Sequence, residues 1–486
     1  MKNQYRGTGA SSRLQNELSQ RRSFLLTLVA IIPGMMMVMI NSTAMNVAIP
    51  SLTSDFGVSF DTLQWVITGY MLAMSVTIPL AGWFSDRFGS AKAYIITIIF
   101  FVIGSLLCAM AQNPLQLTVY RIIQGFGGGM VQPIGMAMVF RLAPDNMKGR
   151  VMGMLGIPML LAPASGPVLS GWLLESIGWQ WIFLINLPLG MITVYLGTRY
   201  LLKANSLKPS RSSCDKPSLD LVGLFLAPVA FVLLALSINM DASQWFLWLL
   251  GGVSVILLIW LWFHEIRHPH PLLALQAFRK VSFRRGVFVS WIQYIALNGS
   301  LVFIPQYLQN FKGYSPFQAG LVMSMLAITS GLLMPISGRL FDKVGIRPLA
   351  GLGLGTISLA LLLLSQIGQN IGGGLTAGIV GLLGIGMGLC MMSLNTYILQ
   401  SAPSDLISRV TPLTSASSNL VIPIAIAGLS NFLAIRANVR ITMVGGNTPL
   451  AEMKAYSDTF LLAACIALLG ALFSLLLKSN RHYKRD

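Results

Sequence analysis

Charge is scarce in this sequence. Only 10% of its 486 residues are Asp, Glu, Lys or Arg, against about 25% in soluble domains. With 55% of residues hydrophobic and a mean hydropathy of +0.71, no water-facing surface can be assembled around so much apolar side chain. The solvent has to be lipid. Cysteine is sparse too: Cys108, Cys214, Cys390 and Cys465 stand apart with no C-x-x-C pair. They read as small apolar fillers, not as a disulfide framework or a thiolate metal cluster. No Walker sequence occurs. The glycine runs GFGGG (Gly125 to Gly129) and GLGLG (Gly351 to Gly355) follow no strand, so they read as helix-contact surfaces, not phosphate loops. ATP is not expected as the direct energy source, and no cofactor is expected.

What the chain has is apolar length. Segments of about 20 residues, enough to cross a bilayer as helix, fall at roughly 24–47, 62–82, 93–111, 115–139, 151–173, 181–202, 219–239, 245–264, 286–309, 317–338, 348–366, 372–400, 410–434 and 458–477. The expected class is an all-α polytopic membrane protein with fourteen transmembrane helices. With both termini inside, Lys312, Arg436, Arg440 and Lys454 fall in external loops, Arg121 falls within a span, and the remaining 28 of the 33 basic residues lie on the cytoplasmic side. That asymmetry sets the orientation. The net charge of +18 therefore reflects topology and contact with anionic lipid, and nucleic acid is not an expected partner. Arg21-Arg22 before the first apolar run resembles a signal sequence, but the long run with no small-residue cleavage site reads as a retained first span.

An internal repeat organises the chain. IPLAGWFSDRFG (Ile78 to Gly89) and MPISGRLFDKVG (Met334 to Gly345) share P-x-x-G-x-x-x-D-[RK]-x-G, with Asp86 matched by Asp342, 256 positions on. Parallel repeats of several spans are a transporter architecture. The expected organisation is a cytoplasmic tail (1–23), a six-helix bundle (24–202), linkers with inserted helices 7 and 8 (203–285), a second six-helix bundle (286–478) and a short cytoplasmic tail (479–486).

These residues resemble a known family. Gly82-x-x-x-Asp86-Arg87-x-Gly89 is similar to the loop motif of the major facilitator superfamily, and Arg121-x-x-Gln124-Gly125 to its R-x-x-Q-G motif. Gly166-Pro167-x-x-x-Gly171 within APASGPVLSGWL resembles the antiporter motif, and WQWIFLINLPLG (Trp179 to Gly190) the sixth-span signature of the fourteen-span drug:proton antiporters. The resemblance implies a major facilitator fold, two six-helix bundles plus two inserted helices. It also implies a secondary active exporter of amphipathic small molecules or drugs, working as a monomer in the bacterial cytoplasmic membrane and driven by protons. The pocket implied is a midplane cavity between spans 1, 2, 4, 9 and 12, with span 13 a further candidate.

Each motif also has a physical reading. In the repeat, Gly82 and Gly89 permit close approach and a tight turn, while Asp86 is placed to accept from helix N-terminal N–H groups or from Arg150. With Arg87, Asp342 and Lys343 it forms either a charged latch between conformations or a solvated turn that fixes topology. Pro163 and Pro167 are expected to bend their helix, and Gly166 and Gly171 to admit another.

Arg121 is costly within a span and needs an inward site with partners. It is either a structural residue bonded to carbonyls, Gln124 or Gln132, or, as the resemblance implies, part of proton coupling or substrate response. Candidate pocket residues are Asn41, Thr43, Asn46, Trp65, Tyr70, Gln124, Gln293, Tyr294, Asn298 and Asn395. For each of these, interhelical hydrogen bonding is the competing role.

The acid that such carriers use is missing. The 15 carboxylates all fall outside the middles of spans. NSTAMNVAIP (Asn41 to Pro50) resembles a D-x-T-x-x-N-V-A-x-P pattern in which the leading Asp is here Asn41. The coupling residue of the family cannot be carried over. Three accounts follow: a carboxylate near a span end (Asp61, Asp86 or Asp220) titrates, the charge of the substrate serves, or protons are not coupled. If Asn41 faces Arg121, an anionic substrate group can supply the lost counter-ion. The alternative function is therefore export of a lipid or anionic metabolite. His264-Glu265-x-x-His268 matches a zinc-binding H-E-x-x-H, but Pro269 follows at once and no third ligand is near in sequence. No metal and no enzymatic activity are expected.

Overall fold

The computed structural model describes residues 6–58, 60–202, 220–239, 244–268, 272–314, 316–366, 373–403, 406–444 and 449–478. The linker read at 203–218, with Cys214, lies outside them, as do the side chains of Asn46, Asp61, Pro163 and Pro167. Among the described residues every regular element is helical: α1 (Arg6–Phe56), α2 (Phe60–Thr77), α3 (Leu80–Phe88), α4 (Ser90–Ala109), α5 (Pro114–Leu142), α6 (Lys148–Ser176), α7 (Trp181–Leu184), α8 (Asn186–Leu196), α9 (Leu221–Asn239), α10 (Gln244–Arg267), α11 (Val281–Leu301), α12 (Phe303–Lys312), α13 (Pro316–Val344), α14 (Ile346–Ser365), α15 (Gly373–Ser401), α16 (Ile407–Val444) and α17 (Pro449–Ser474).

Each of the fourteen apolar segments is helical. Eleven described helices are long and apolar enough to cross a membrane, and twelve if α2 and α3 make one bent span. The two segments outside this set are α6 and α9, both helical but with side chains outside the described residues.

By internal contacts the chain separates into two units, 1–143 with 162–219, and 144–161 with 220–486. The repeat reappears as one pairing scheme inside each. In the first unit, α5 packs on α2 and α4, and α8 on α1 and α4; in the second, α15 packs on α13 and α14, and α17 on α11 and α14. The first copy of the motif ends at Gly89 (φ +82) and the second at Gly345 (φ +80). At both, the chain turns from one span into the next in a backbone region that only glycine enters cheaply. The copies differ at their prolines. The helix breaks around Pro79 with a 55° bend between α2 and α3, whereas α13 runs unbroken through Pro335.

Local chemistry sets the helix ends. Asn113 caps α5 by accepting from Gln116 N–H at 2.8 Å, Pro114 occupies the first helical position, and Gln116 Oε1 reaches back to Gln112 N–H at 3.0 Å. These partners satisfy donors that no helical carbonyl reaches. At the far end of the chain, Asp458 of α17 accepts from Arg436 Nε at 2.8 Å and from Arg440 Nη2 at 3.1 Å, both on α16. One carboxylate thereby ties the last two spans together.

Candidate functional site

The polar centre of the first unit is built on α5. Arg121 and Gln124 are three residues apart and share a helix face. Gly104 on α4 lets the two helices meet without a side chain between them, since a Cβ there would lie 2.5 Å from the Gln124 backbone. Ser105, next in α4, consequently reaches Gln124: Gln124 Nε2 donates to Ser105 Oγ at 2.6 Å, and Asn186 Nδ2 of α8 donates to the same oxygen at 3.3 Å.

Arg121 is 1% exposed. Its Nη1 donates to Asn41 Oδ1 of α1 at 2.5 Å and to Gln124 Oε1 at 2.7 Å. The guanidinium lies 4.2 Å from the Tyr70 ring centroid and 5.4 Å from that of Phe183, within the range where a ring face attracts a cation. Its hydrogen-bond partners here are neutral amides. Three buried polar atoms at this centre, Arg121 Nε, Asn41 Nδ2 and the Tyr70 hydroxyl, have no hydrogen-bond partner. All three carry a proton to donate, so the site has a surplus of donors around one positive charge and is short of acceptors.

The neighbouring polar residues brace the helices. Thr43 Oγ1 turns back onto the Ile40 carbonyl at 3.1 Å, and Ser42 Oγ onto that of Met39 at 2.8 Å. Gly166 of α6 lies directly against Thr43, where a Cβ would collide with the threonine hydroxyl. Ser170 Oγ donates to the Ala44 carbonyl at 2.8 Å, clamping the same crossing. At Gly171 a Cβ would meet nothing within 4 Å, which fits ordinary span packing, and Gly166 is the one of the two that meets α1. The bend expected at Pro163 and Pro167 is not a break, because α6 is continuous from 148 to 176.

In the second unit, Tyr294 and Asn395 line a cleft with Ser290, Trp291, Thr414 and Ser417, and the Trp291 indole N–H bonds Ser417 Oγ. Gln293, next to Tyr294, is buried with Nε2 unpartnered. Asn298 is partly buried one turn further on, and Trp65, in the first unit, is 50% exposed on α2.

Asp342, the repeat counterpart of Asp86, makes a helix-capping bond of the kind expected of this motif. Asp342 Oδ1 accepts from Gly149 N–H at 2.8 Å and Oδ2 from Arg150 N–H at 2.9 Å, at the start of α6. Arg150 takes part through its backbone. Gly149 packs against Gly338, the motif glycine of the second copy, where a Cβ on either residue would strike the other's carbonyl. In the first copy, Gly82 is buried in α3, whereas Arg87, like Lys343 of the second, is exposed.

Residues that sequence reasoning missed at the Arg121 centre are Ser105, Asn186 and Phe183. The first two are lone polar residues in otherwise apolar spans, which is the signal that would have found them. Asp220 is legible in sequence as a span-end carboxylate, but its pairing with His264 is not. It lies 44 positions before His264, yet both its oxygens stand 2.9 Å from His264 Nε2, and one ligand atom from each of Asp220, His264 and His268 falls within 4.8 Å of the others. The third ligand that the sequence did not place is there.

A sequence profile described as Major Facilitator Superfamily matches residues 31–220 and 217–426. The chain is 32% identical over 413 residues to Multidrug resistance protein B homolog of Mycobacterium tuberculosis, covering 82% of this chain and 74% of that protein. It is 29% identical over 409 residues to Riboflavin transporter RibZ of Clostridioides difficile, covering 84% and 88%. The solved structure of the proton:xylose symporter XylE superposes with a TM-score of 0.65 at 14% identity, covering 95% of this chain and 97% of that one.

Proposed function

The chain belongs to the Major Facilitator Superfamily, and from that premise we propose that it exports amphipathic small molecules across the bacterial cytoplasmic membrane by alternating access, drawing on the proton gradient, with both termini inside. It is a transporter of the multidrug efflux type and not an enzyme. The likeness to a protein named for multidrug resistance, over most of both chains, supports the substrate class. Asn41 cannot ionise where a coupling carboxylate is expected. In the proposed cycle the proton is therefore carried by a carboxylate nearer a span end, such as Asp86, or the gradient acts through the charge of the substrate.

A second reading is favoured by one observation. Three unpaired donors surround a buried guanidinium whose hydrogen-bond partners are neutral amides. Such a centre is complementary to an anionic or acceptor-rich group, which makes an amphipathic anion the substrate best matched to this chain. Flux in proteoliposomes under separately imposed pH and voltage gradients tests both readings, using cationic, neutral and anionic amphiphiles. Uptake of anions that drops with Arg121→Gln supports the second reading. Transport confined to cations overturns the second reading, and flux indifferent to the pH gradient overturns the proton-driven one.

A further inference from the structure

We propose that Asp220, His264 and His268 form a binding site for one divalent transition-metal cation of the zinc class, which cross-links the two inserted helices. The site is assembled where the start of α9 meets the end of α10. Asp220 precedes α9 and caps it, Oδ1 accepting from Gly223 N–H at 2.9 Å, and the residue is 2% exposed. His264 is in the last turn of α10 and His268 directly follows the helix, its N–H bonded to the His264 carbonyl at 2.9 Å, with the ring centroids 5.3 Å apart.

The ligand atoms of the three residues are all within 4.8 Å of one another, and the closest pair is at 2.9 Å. Tetrahedral zinc, with bonds of about 2.0–2.2 Å to nitrogen and oxygen, spaces its ligands about 3.3–3.5 Å apart. The closest pair is slightly tighter than that spacing and no pair exceeds 4.8 Å, so the three ligand atoms lie within reach of one ion. Two imidazoles and one carboxylate select zinc, cobalt, nickel or copper over magnesium and calcium, which take oxygen ligands.

A second observation points the same way. Glu265 is fully buried beside the cluster. Its Oε2 accepts from Leu273 N–H at 3.3 Å, but its Oε1 has no hydrogen-bond partner. A Cβ on Gly223 would stand 2.6 Å from Asp220 Oδ2 and 2.9 Å from Glu265 Oε1, so the two carboxylates converge on one small residue. Arg409 of α16 offsets part of the charge on Glu265 without supplying its missing hydrogen bond. Burying two acids this close is costly, and Arg409 and a protonated His264 offset only part of that cost. A metal on Asp220 and the two histidines adds positive charge beside Glu265, which is not itself one of the clustered ligands. In zinc hydrolases of H-E-x-x-H type the central Glu serves as a base at an open water site. Here it is buried and tied to Leu273, so the bound ion braces the helix pair without performing chemistry.

The test uses the full chain purified in lipid nanodiscs with any polyhistidine tag removed and metal stripped by chelator. Titration with Zn2+ is expected to load one equivalent per chain, raising the Tm. His264→Ala, His268→Ala and Asp220→Asn are each expected to weaken binding at least tenfold. Because a variant can fail through misfolding, Co2+ loading of the wild-type chain is a second measurement, with visible bands of nitrogen and oxygen coordination expected and no thiolate charge-transfer band. Absence of stoichiometric uptake by the wild type, thiolate bands, or unchanged affinity in folded variants overturns the proposal.

Discussion

Thr43 fills the space in which a Cβ on Gly166 would stand. The polar patch of the first span and the small residue of the antiporter-like motif are thus two sides of one helix crossing. Gly166→Ala is expected to cost on the order of 1–3 kcal/mol through overpacking, read as a lower Tm in detergent. Thr43→Ala in the same chain should return much of the loss. Failure of the second change to rescue the first would show that the crossing tolerates the methyl group by other shifts.

Arg121→Gln is expected to abolish recognition of anionic amphiphiles while sparing neutral ones. A lost charge-assisted bond contributes about 1.5–3 kcal/mol, on the order of a tenfold to a hundredfold loss in affinity. Equilibrium binding of a fluorescent anion before and after the change measures it directly. Unchanged affinity would remove Arg121 from the binding surface.

Asn41→Asp places a carboxylate against Arg121, where Asn41 Oδ1 now accepts at 2.5 Å. Two effects are expected together: weaker anion binding, because the guanidinium gains a counter-ion, and a stronger pH dependence than that of the parent chain. The added pairing exists only while the new carboxylate is ionised, so it is lost as pH falls through the titration of that group. Anion affinity of the variant should therefore rise toward the parent level as pH falls. A flat profile would count against this pairing.

Asp342→Ala is expected to loosen the start of α6, at a cost of about 1–2 kcal/mol, because the carboxylate accepts from two backbone donors there. Arg150→Ala should leave both hydrogen bonds of that cap in place, since Arg150 bonds through its N–H and its side chain adds only a through-space attraction to Asp342. Hydrogen exchange at residues 148–152 separates the two outcomes. If Arg150→Ala proved as damaging as Asp342→Ala, a side-chain ion pair would be the dominant bond.

Much of the architecture is legible in the sequence because lipid imposes a simple rule: a span must be apolar and helical to satisfy its backbone. The repeat is legible for a related reason, since Gly89 and Gly345 sit at matching positive-φ turns that side chains avoid. The Arg121 centre is partly legible, because a guanidinium within a span draws attention to every amide nearby, and Asn41 and Gln124 are its bonded partners. What sequence cannot choose is the partner of a motif carboxylate. Asp342 could meet any nearby helix start on paper, and the packing of Gly338 on Gly149 is what brings it to that of α6. Proximity across 44 residues, as between Asp220 and His264, is likewise set by how α9 and α10 pair and not by any local pattern.

The pairing of Arg121 with neutral amides has an electrical consequence. Moving one elementary charge through a full potential of 100 mV changes its energy by about 2.3 kcal/mol, and a guanidinium with no carboxylate partner senses whatever fraction of that field falls across it. In the proposed cycle an anionic cargo cancels this charge, so the loaded stroke is electrically silent and the empty one carries current. Membrane voltage would then set the pace of the return and leave the delivery untouched.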